Sequence, residues 1–316
     1  MIRASVVICV YTADRTNDIR EAVESVRGQT LPAHELILVV DHNPDLHLVL
    51  KDAYRDAVVV ENGRERGLSG GRNTGVDIAT GDIVAFLDDD AVASPGWLAA
   101  FAEHFADLAV AGVGGFTRPL WLTGARPRWF PEEFNWVVGC SYRGMPTERA
   151  RIRNVMGGNA AFRREVIGEV GGFSTAIGRK VQGRKSRPLG CEETEFCIRM
   201  TQRRPGSVLM FEPDAVIDHK VPAARRKLGY LRRRCYAEGL SKALVTHSVG
   251  AADGLATERS YTFKTLPLGA LRGLRDALRG DVAGLGRASA IVTGLACATW
   301  GYGVGTARVR ARAGRD

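Results

Sequence analysis

The chain contains no CxxC pair, and its six cysteines (Cys9, Cys140, Cys191, Cys197, Cys235 and Cys297) stand at spacings that fit no zinc site. Structural zinc and a disulfide framework are therefore not expected; the thiols read as free groups of a reducing compartment. A leader-like segment is also missing. Met1, Ile2 and Arg3 lead into an apolar run of only about six residues, too short for a signal-peptide core, so export is not expected. No internal repeat is found. No aromatic platform or reader motif of a nucleic-acid binder accompanies the basic residues.

What is present describes a globular protein. The chain has 316 residues, 45% hydrophobic and 25% charged, which suits one core domain with an appendage. A formal charge of +9, from 44 basic and 35 acidic residues, favours phosphate-bearing partners without choosing among nucleotide, nucleic acid and anionic lipid.

Strand and helix patterns alternate along the first half. Short apolar strands are predicted at Ser5–Val10, Glu35–Val40, Ala57–Val60 and Ile83–Leu87. Helices are predicted at Asn17–Arg27 and Ser69–Ala79. Another should be capped by Ser94 with Pro95 in its first turn, burying Trp97, Leu98, Phe101 and Phe105. This order implies an α/β fold with a largely parallel sheet, whose ligands sit at the carboxyl ends of the strands. From about Phe116 to Val155 no period is visible, and the stretch, with Trp121, Trp129 and Trp136, reads as a long insertion over the site. A strand from Gly157, a helix, a second helix from Glu192, and strands at Ser207–Phe211 and Ala215–Ile217 follow. Beyond Pro222 the chain is mainly helical and basic.

Three stretches carry chemistry. Asp88, Asp89 and Asp90 follow a buried strand directly. Adjacent carboxylates repel unless a cation lies between them, and a hard divalent ion with oxygen ligands does this; the alternative is a solvated turn or a helix N-cap. Gly67 to Gly75 is glycine-rich and contains Arg72, which suits a phosphate. It is neither GxGxxG nor a P-loop, and it also reads as a helix start. Glu192 and Glu193 fall in the first turn of a helix, where the dipole keeps a carboxylate ionised and able to act as general base; for this stretch alone, plain helix capping is the stronger reading.

Together these pieces resemble family 2 glycosyltransferases with the GT-A fold over about residues 4 to 220. Ser5–Thr12, with Val10, Tyr11 and Thr12, resembles the opening strand and its nucleobase-facing turn. Asp41 matches the nucleobase-contacting aspartate, and Gly71, Arg72, Asn73, Thr74 and Gly75 resemble the ARNxG element. Asp88, Asp89 and Asp90 match the DxD motif, with Asp90 as direct metal ligand. Gly157 to Arg163, including Asn159, resembles the acceptor-side strand, and Gly171–Phe173 the GGF turn. Glu192 and Glu193 stand where the family has Glu-Asp, so the base role carries to Glu193. The longer side chain leaves open which of the two acts. His219 resembles a histidine near the metal in relatives.

The resemblance implies an inverting, metal-dependent (Mn2+ or Mg2+) transfer from a nucleotide diphosphate sugar, most often a UDP-sugar, to an acceptor hydroxyl. It divides the chain into a catalytic domain at 1–221 (donor half 1–115, acceptor half 116–221) and a helical extension at 222–316. Trp129 and Trp136, with Asn159, are candidate acceptor contacts.

Arg179, Lys180, Arg184, Lys185 and Arg187 form a basic loop suited to a phosphate. Arg225, Arg226, Lys227, Arg232, Arg233 and Arg234, interleaved with Leu228, Tyr230 and Leu231, read as an amphipathic helix for an anionic membrane surface. The uncharged stretch 288–307 would just span a bilayer, but its Gly, Ala, Ser and Thr favour a packed or interfacial helix. The whole chain is similar to a subgroup related to glucuronosyltransferases acting on polyprenyl- or dolichyl-linked glycans. That likeness implies a lipid-linked or cell-envelope acceptor and a cytoplasmic enzyme peripheral to the inner face of the membrane, without nucleic acid. A nucleotidylyltransferase would need a basic glycine-rich loop where Tyr11 to Arg15 stand. A non-catalytic partner of the same fold would have lost the metal acids or the base. A glycoside hydrolase needs no nucleotide-type glycine and arginine element.

Overall fold

The computed structural model describes residues 2–178, 180–182, 185–187 and 189–313. They form two compact units: one of residues 1–118, 146–187 and 192–219, the other of 119–145, 188–191 and 220–316. Residues 119–145 of the aperiodic tryptophan-rich stretch thus fall in the same unit as residues 220–316.

The first unit begins with β1 (Ala4–Val10), α1 (Thr16–Arg27), β2 (Glu35–Val40), α2 (Pro44–Ala53), β3 (Val58–Glu61), α3 (Leu68–Ile78) and β4 (Ile83–Asp88). After β4 come β5 (Ala91–Ala93), α4 (Trp97–His104), β6 (Val110–Trp121), β7 (Ala150–Ile152), β8 (Asn159–Arg163) and α5 (Arg164–Glu169). A small hairpin of β9 (Lys180–Gln182) and β10 (Lys185–Arg187), then α6 (Glu192–Arg203) and β11 (Val208–Val221), complete it.

The main sheet runs β3-β2-β1-β4-β8-β6-β11-β5, with β7 beside β11. From β3 to β4 every pairing is parallel, as the strand–helix alternation predicts. Beyond β4 the ladders β4–β8, β6–β8 and β5–β11 are antiparallel, so the sheet is mixed. The two-residue side-chain period of β1 sends Val6, Ile8 and Val10 to a core shared with α1, α2 and α4. Val7 points to the opposite core, with α3, α5 and α6.

Several expected boundaries shift. Ser94 does not cap α4; the N-cap is Gly96, without a side-chain bond, and the Ser94 carbonyl accepts the Trp97 N–H at 3.0 Å. The two strands expected at 207–217 are one continuous β11. The stretch from Phe116 is partly regular, since it holds the end of β6, a 3₁₀ segment at Glu132–Val138 and β7.

The second unit is built from α7 (Leu228–Val249), the short α8 (Ala251–Gly254) and α9 (Ala256–Ser260), a π-turn at Tyr261–Thr265, α10 (Leu266–Leu278) and α11 (Ala283–Ala313). Its core includes Phe130, Phe134, Leu231, Cys235, Leu266 and Ile291. Helices α7 and α11 touch through glycines. A methyl on Gly305 would lie 2.6 Å from the Ala243 Cβ, and methyls on Gly239 and Gly301 would collide with the carbonyl oxygens of Ala298 and Tyr236. The uncharged 288–307 segment is thus the packed middle of α11. No helix among the described residues is long and apolar enough to cross a membrane.

Candidate active site

The carboxyl ends of β1, β2 and β4 lie side by side, and each carries a residue singled out by sequence. Asp88 ends β4. The chain then turns into β5, whose pairing with β11 sets Ala91 opposite His219. This register carries an imidazole from the far end of the sequence to the aspartates. Ligand atoms of Asp88, Asp90 and His219 all lie within 4.8 Å of one another, with His219 Nε2 3.3 Å from Asp90 Oδ1. Gly158 makes room for the first of them, because a methyl there would run into the Asp88 carboxylate.

Asp89 is used differently. Its Oδ1 accepts from Arg15 at 2.6 Å, while its buried Oδ2 has no hydrogen-bond partner. Burial pushes the Asp89 carboxyl up to about 7 against the pull of Arg15, and the neighbouring Asp90 and Asp88 add to the rise. Arg15 also stands 3.2 Å from Asp90, with its guanidinium 5.3 Å from the Tyr11 ring centroid. Arg15 pairs with Asp89 and Asp90, and Arg72 stands 3.9 Å from Asp88, so three carboxylates crowd one strand end, where a divalent cation would relieve their mutual repulsion. Two carboxylates and an imidazole are a fitting donor set for such an ion. Arg15 went unnoticed in the sequence; its signal was position, in the turn after β1 at the same sheet edge as the aspartates.

Asp41 follows β2 and is held rigidly. Its Oδ1 accepts from Asn62 Nδ2 at 2.7 Å and its Oδ2 from the Gly67 N–H at 3.0 Å. Asn62 Oδ1 in turn accepts from the Thr74 hydroxyl at 2.9 Å. Gly67, at φ 125°, supplies the left-handed turn into α3 that aims its N–H at the carboxylate. His42, at φ 53°, places its Nδ1 3.0 Å from Asp41 Oδ1. At the end of β1, the Val10 side chain is buried and its carbonyl accepts the Asp41 N–H. Tyr11 is exposed, and Thr12 caps a 3₁₀ turn through the Asp14 N–H at 3.3 Å.

The glycine-rich stretch forms most of α3, and Gly71 and Gly75 face the sheet. A methyl on Gly71 would sit 3.1 Å from Cys9 Sγ, and one on Gly75 2.5 Å from Val7 Cγ1. Their visible work is close helix–sheet packing. Arg72 is 2% exposed and donates to Glu192 Oε1 at 3.0 Å, with Asp88 Oδ1 at 3.9 Å and the rings of Phe86 and Phe173 near its guanidinium. Burial lowers its pKa, but Glu192, Asp88 and Glu193 more than reverse this, so Arg72 is held as a cation. It ties α3, β4 and α6 together from inside, and presents almost no surface to a phosphate. Asn73 is committed as well: its amide donates to the Phe173 carbonyl and accepts from the Phe173 N–H, both at 2.8 Å.

At the start of α6, Glu192 is buried against Arg72, whereas Glu193 is half-buried. Asn159 is fully buried, accepting from Trp97 Nε1 at 2.8 Å and donating to the Ala215 carbonyl at 3.1 Å, so its amide serves the fold. Trp129 and Trp136 pack on the aromatic core of the second unit, where Trp136 Nε1 donates to the Tyr261 hydroxyl at 2.9 Å. The basic side chains of 179–187 lie outside the described residues.

Comparisons with known proteins agree with this geometry. A family model described as Glycosyl transferase family 2 matches residues 5–171. The chain is 36% identical over 245 residues to glucosyl-dolichyl phosphate glucuronosyltransferase of Haloferax volcanii, covering 76% of each chain. Among solved structures, it superposes on mannosyltransferase PcManGT from Pyrobaculum calidifontis, in complex with GDP-Man and Mn2+, with a TM-score of 0.57 at 19% identity, covering 95% of this chain and 87% of that one. A structure of GalNAc-T7 with UDP, GalNAc and Mn2+ gives a TM-score of 0.52 at 19% identity over 83% of this chain and 55% of that one. With the sheet, the Asp–Asp–His cluster and these matches in hand, the chain belongs to glycosyl transferase family 2, as an inverting, metal-dependent glycosyltransferase of GT-A fold.

Proposed function

We propose that the protein transfers a sugar from a UDP-sugar to a hydroxyl of a lipid-linked or cell-envelope glycan, working at the cytoplasmic face of the membrane. The observation that carries the donor side is the Asp88–Asp90–His219 cluster at the strand ends, beside the rigidly held Asp41. The acceptor class is supported by the likeness to the Haloferax volcanii enzyme, whose name places its substrate on a dolichyl phosphate carrier.

In this reading Asp41 and the exposed Tyr11 bracket the nucleobase. Asp88, Asp90 and His219 would hold a divalent cation, which would supply positive charge for the departing diphosphate. The imidazole in the set favours Mn2+ over Mg2+, which prefers oxygen ligands alone. Glu193 takes the proton of the acceptor hydroxyl while that oxygen bonds to the anomeric carbon. The bond from this carbon to the diphosphate oxygen breaks with inversion, and the electron pair leaves on the diphosphate. Arg72 holds Glu192 beside the base and sets the local charge.

The test is thermal stability with UDP, GDP and dTDP, each with and without Mn2+. A ligand of the native state at a hundredfold excess over its Kd adds about 2.7 kcal/mol. A Mn2+-dependent rise with UDP that disappears in Asp90→Ala supports the reading. A rise with GDP alone transfers the donor assignment to GDP-sugars. No rise with any nucleotide sinks the donor site. Glu193→Gln should keep the UDP-dependent rise and lose turnover; full turnover in that variant would move the base to Glu192.

A further inference from the structure

Half of the basic cluster 225–234 is engaged within the protein, while Lys227, Arg232 and Arg233 are exposed. Arg225 donates to the Val138 carbonyl, Arg226 to the Thr123 hydroxyl and carbonyl, and Arg234 pairs with Glu238. A different surface of the second unit has the features of an interfacial element. Helix α10 buries Leu266, Gly269 and Gly273 on one side. On the other, Leu268 (52%), Leu271 (61%), Leu274 (45%) and Leu278 (90%) are exposed. At 3.6 residues per turn these four leucines share an arc of about 120°. Phe263 before the helix and Val282 and Leu285 after it are exposed too, so the apolar surface continues past both ends.

Charge selects the occupant. Lys264, Arg275 and Arg279 lie along this face, are exposed, and have no ion-pair partner among the described residues. The other arginines nearby are spent: Arg272 holds Glu133, and Arg287 holds Asp276 and Asp281. Those two aspartates are the acids of this segment, so the leucine face meets its surroundings with free positive charge only. A second copy of the same face would set these cations against each other about a two-fold axis. A water-exposed leucine stripe of this length is unfavourable by itself, whereas a bilayer surface with anionic headgroups satisfies both the leucines and the cations.

We propose that α10 is the membrane-docking element of this protein. It lies in the plane of an anionic bilayer, with Leu268, Leu271, Leu274 and Leu278 among the upper acyl chains and Lys264, Arg275 and Arg279 on headgroup phosphates. This deepens the functional reading above and rests on it only for why the enzyme needs a membrane.

The test is co-sedimentation of the full chain, without nucleotide, with vesicles of phosphatidylcholine containing phosphatidylglycerol, and of phosphatidylcholine alone. Binding is expected on the anionic vesicles and weak on the neutral ones. Arg275→Gln with Arg279→Gln should lower the partition coefficient about 30-fold, from roughly a tenfold effect per two-thirds of the loss. Leu271→Gln with Leu278→Gln should lower it roughly tenfold or more at unchanged melting temperature, because these side chains are exposed. Absence of wild-type binding to anionic vesicles, or binding at the wild-type level by both variants, overturns the proposal. So does a leucine variant that converts a dimer to a monomer in sedimentation velocity while vesicle binding persists. Mn2+ and UDP binding, measured on the same samples, reports separately on the donor site.

Discussion

Replacing Gly158 by alanine should damage the metal site while sparing the fold. The added methyl would stand 2.7 Å from Asp88 Oδ1 and nearer still to Oδ2. An ordinary carbon–oxygen contact is about 3.3 Å, so Oδ2, which the methyl would meet at 2.1 Å, must withdraw by about 1.2 Å, roughly six times the distance tolerance of about 0.2 Å in a metal–ligand bond. Turning the side chain to an off-rotamer position costs about 0.5–1.5 kcal/mol, and a disturbed supporting contact typically weakens metal binding about 10- to 100-fold. Gly158 lies in a turn and has no left-handed backbone requirement, so global stability should change little. Mn2+ affinity is measured by calorimetry on wild type, Gly158→Ala, Asp88→Ala and the double variant. The double should be no weaker than Asp88→Ala alone, since both act through one ligand. Gly158→Ala binding Mn2+ within twofold of wild type would refute the assignment of Asp88 as a ligand.

Arg72→Met leaves Glu192 buried without its cation and should cost about 3–5 kcal/mol in urea unfolding; adding Glu192→Gln should recover much of it, and a loss below about 1 kcal/mol would show that the pair is not the tie described. Gly301→Ala forces a methyl onto the Tyr236 carbonyl. It should lose about 1–3 kcal/mol although alanine favours helix by about 1 kcal/mol, which a chemical melt reads directly. Glu238 feels burial that raises its pKa, but Arg234 and Lys242 outweigh it, so its folded pKa is lowered. Its ionisation therefore stabilises the native state above the unfolded carboxylate pKa, and this gain fades as pH falls through the folded value. The melting-temperature gap between wild type and Glu238→Gln should be largest near neutrality and shrink on acidification; a gap independent of pH would contradict it.

Local pattern made part of this protein legible. The four parallel strands and the helices α1 and α3 are written as short apolar runs and clean helical faces, and the acids stand directly after β4. The acidic start of α6 and the lone His219 were visible through family likeness. Other features depend on distant partners. Arg15 earns its place only through aspartates 74 and more residues away. Helix α2 shows no clean stripe because Leu48 and Val49 are exposed among buried Leu46 and Leu50. Strand β5 has three residues and exists because β11 pairs with it. Asn159 looked like an acceptor contact, yet its amide is consumed by Trp97 and Ala215. In the glycine stretch, the same lack of side chain that suits a ligand suits a sheet, and only the packing on Val7 and Cys9 decides between them.

The pair of hydrogen bonds between Asn73 and Phe173 bears on the building of hybrid enzymes. They fasten α3 to the turn after α5 across 100 positions of sequence, and the adjacent Arg72 reaches Glu192 across 120. A graft that imports another acceptor region must bring a glycine at 172, a main-chain turn at 173 and a buried acid at 192, or the imported piece will not lock.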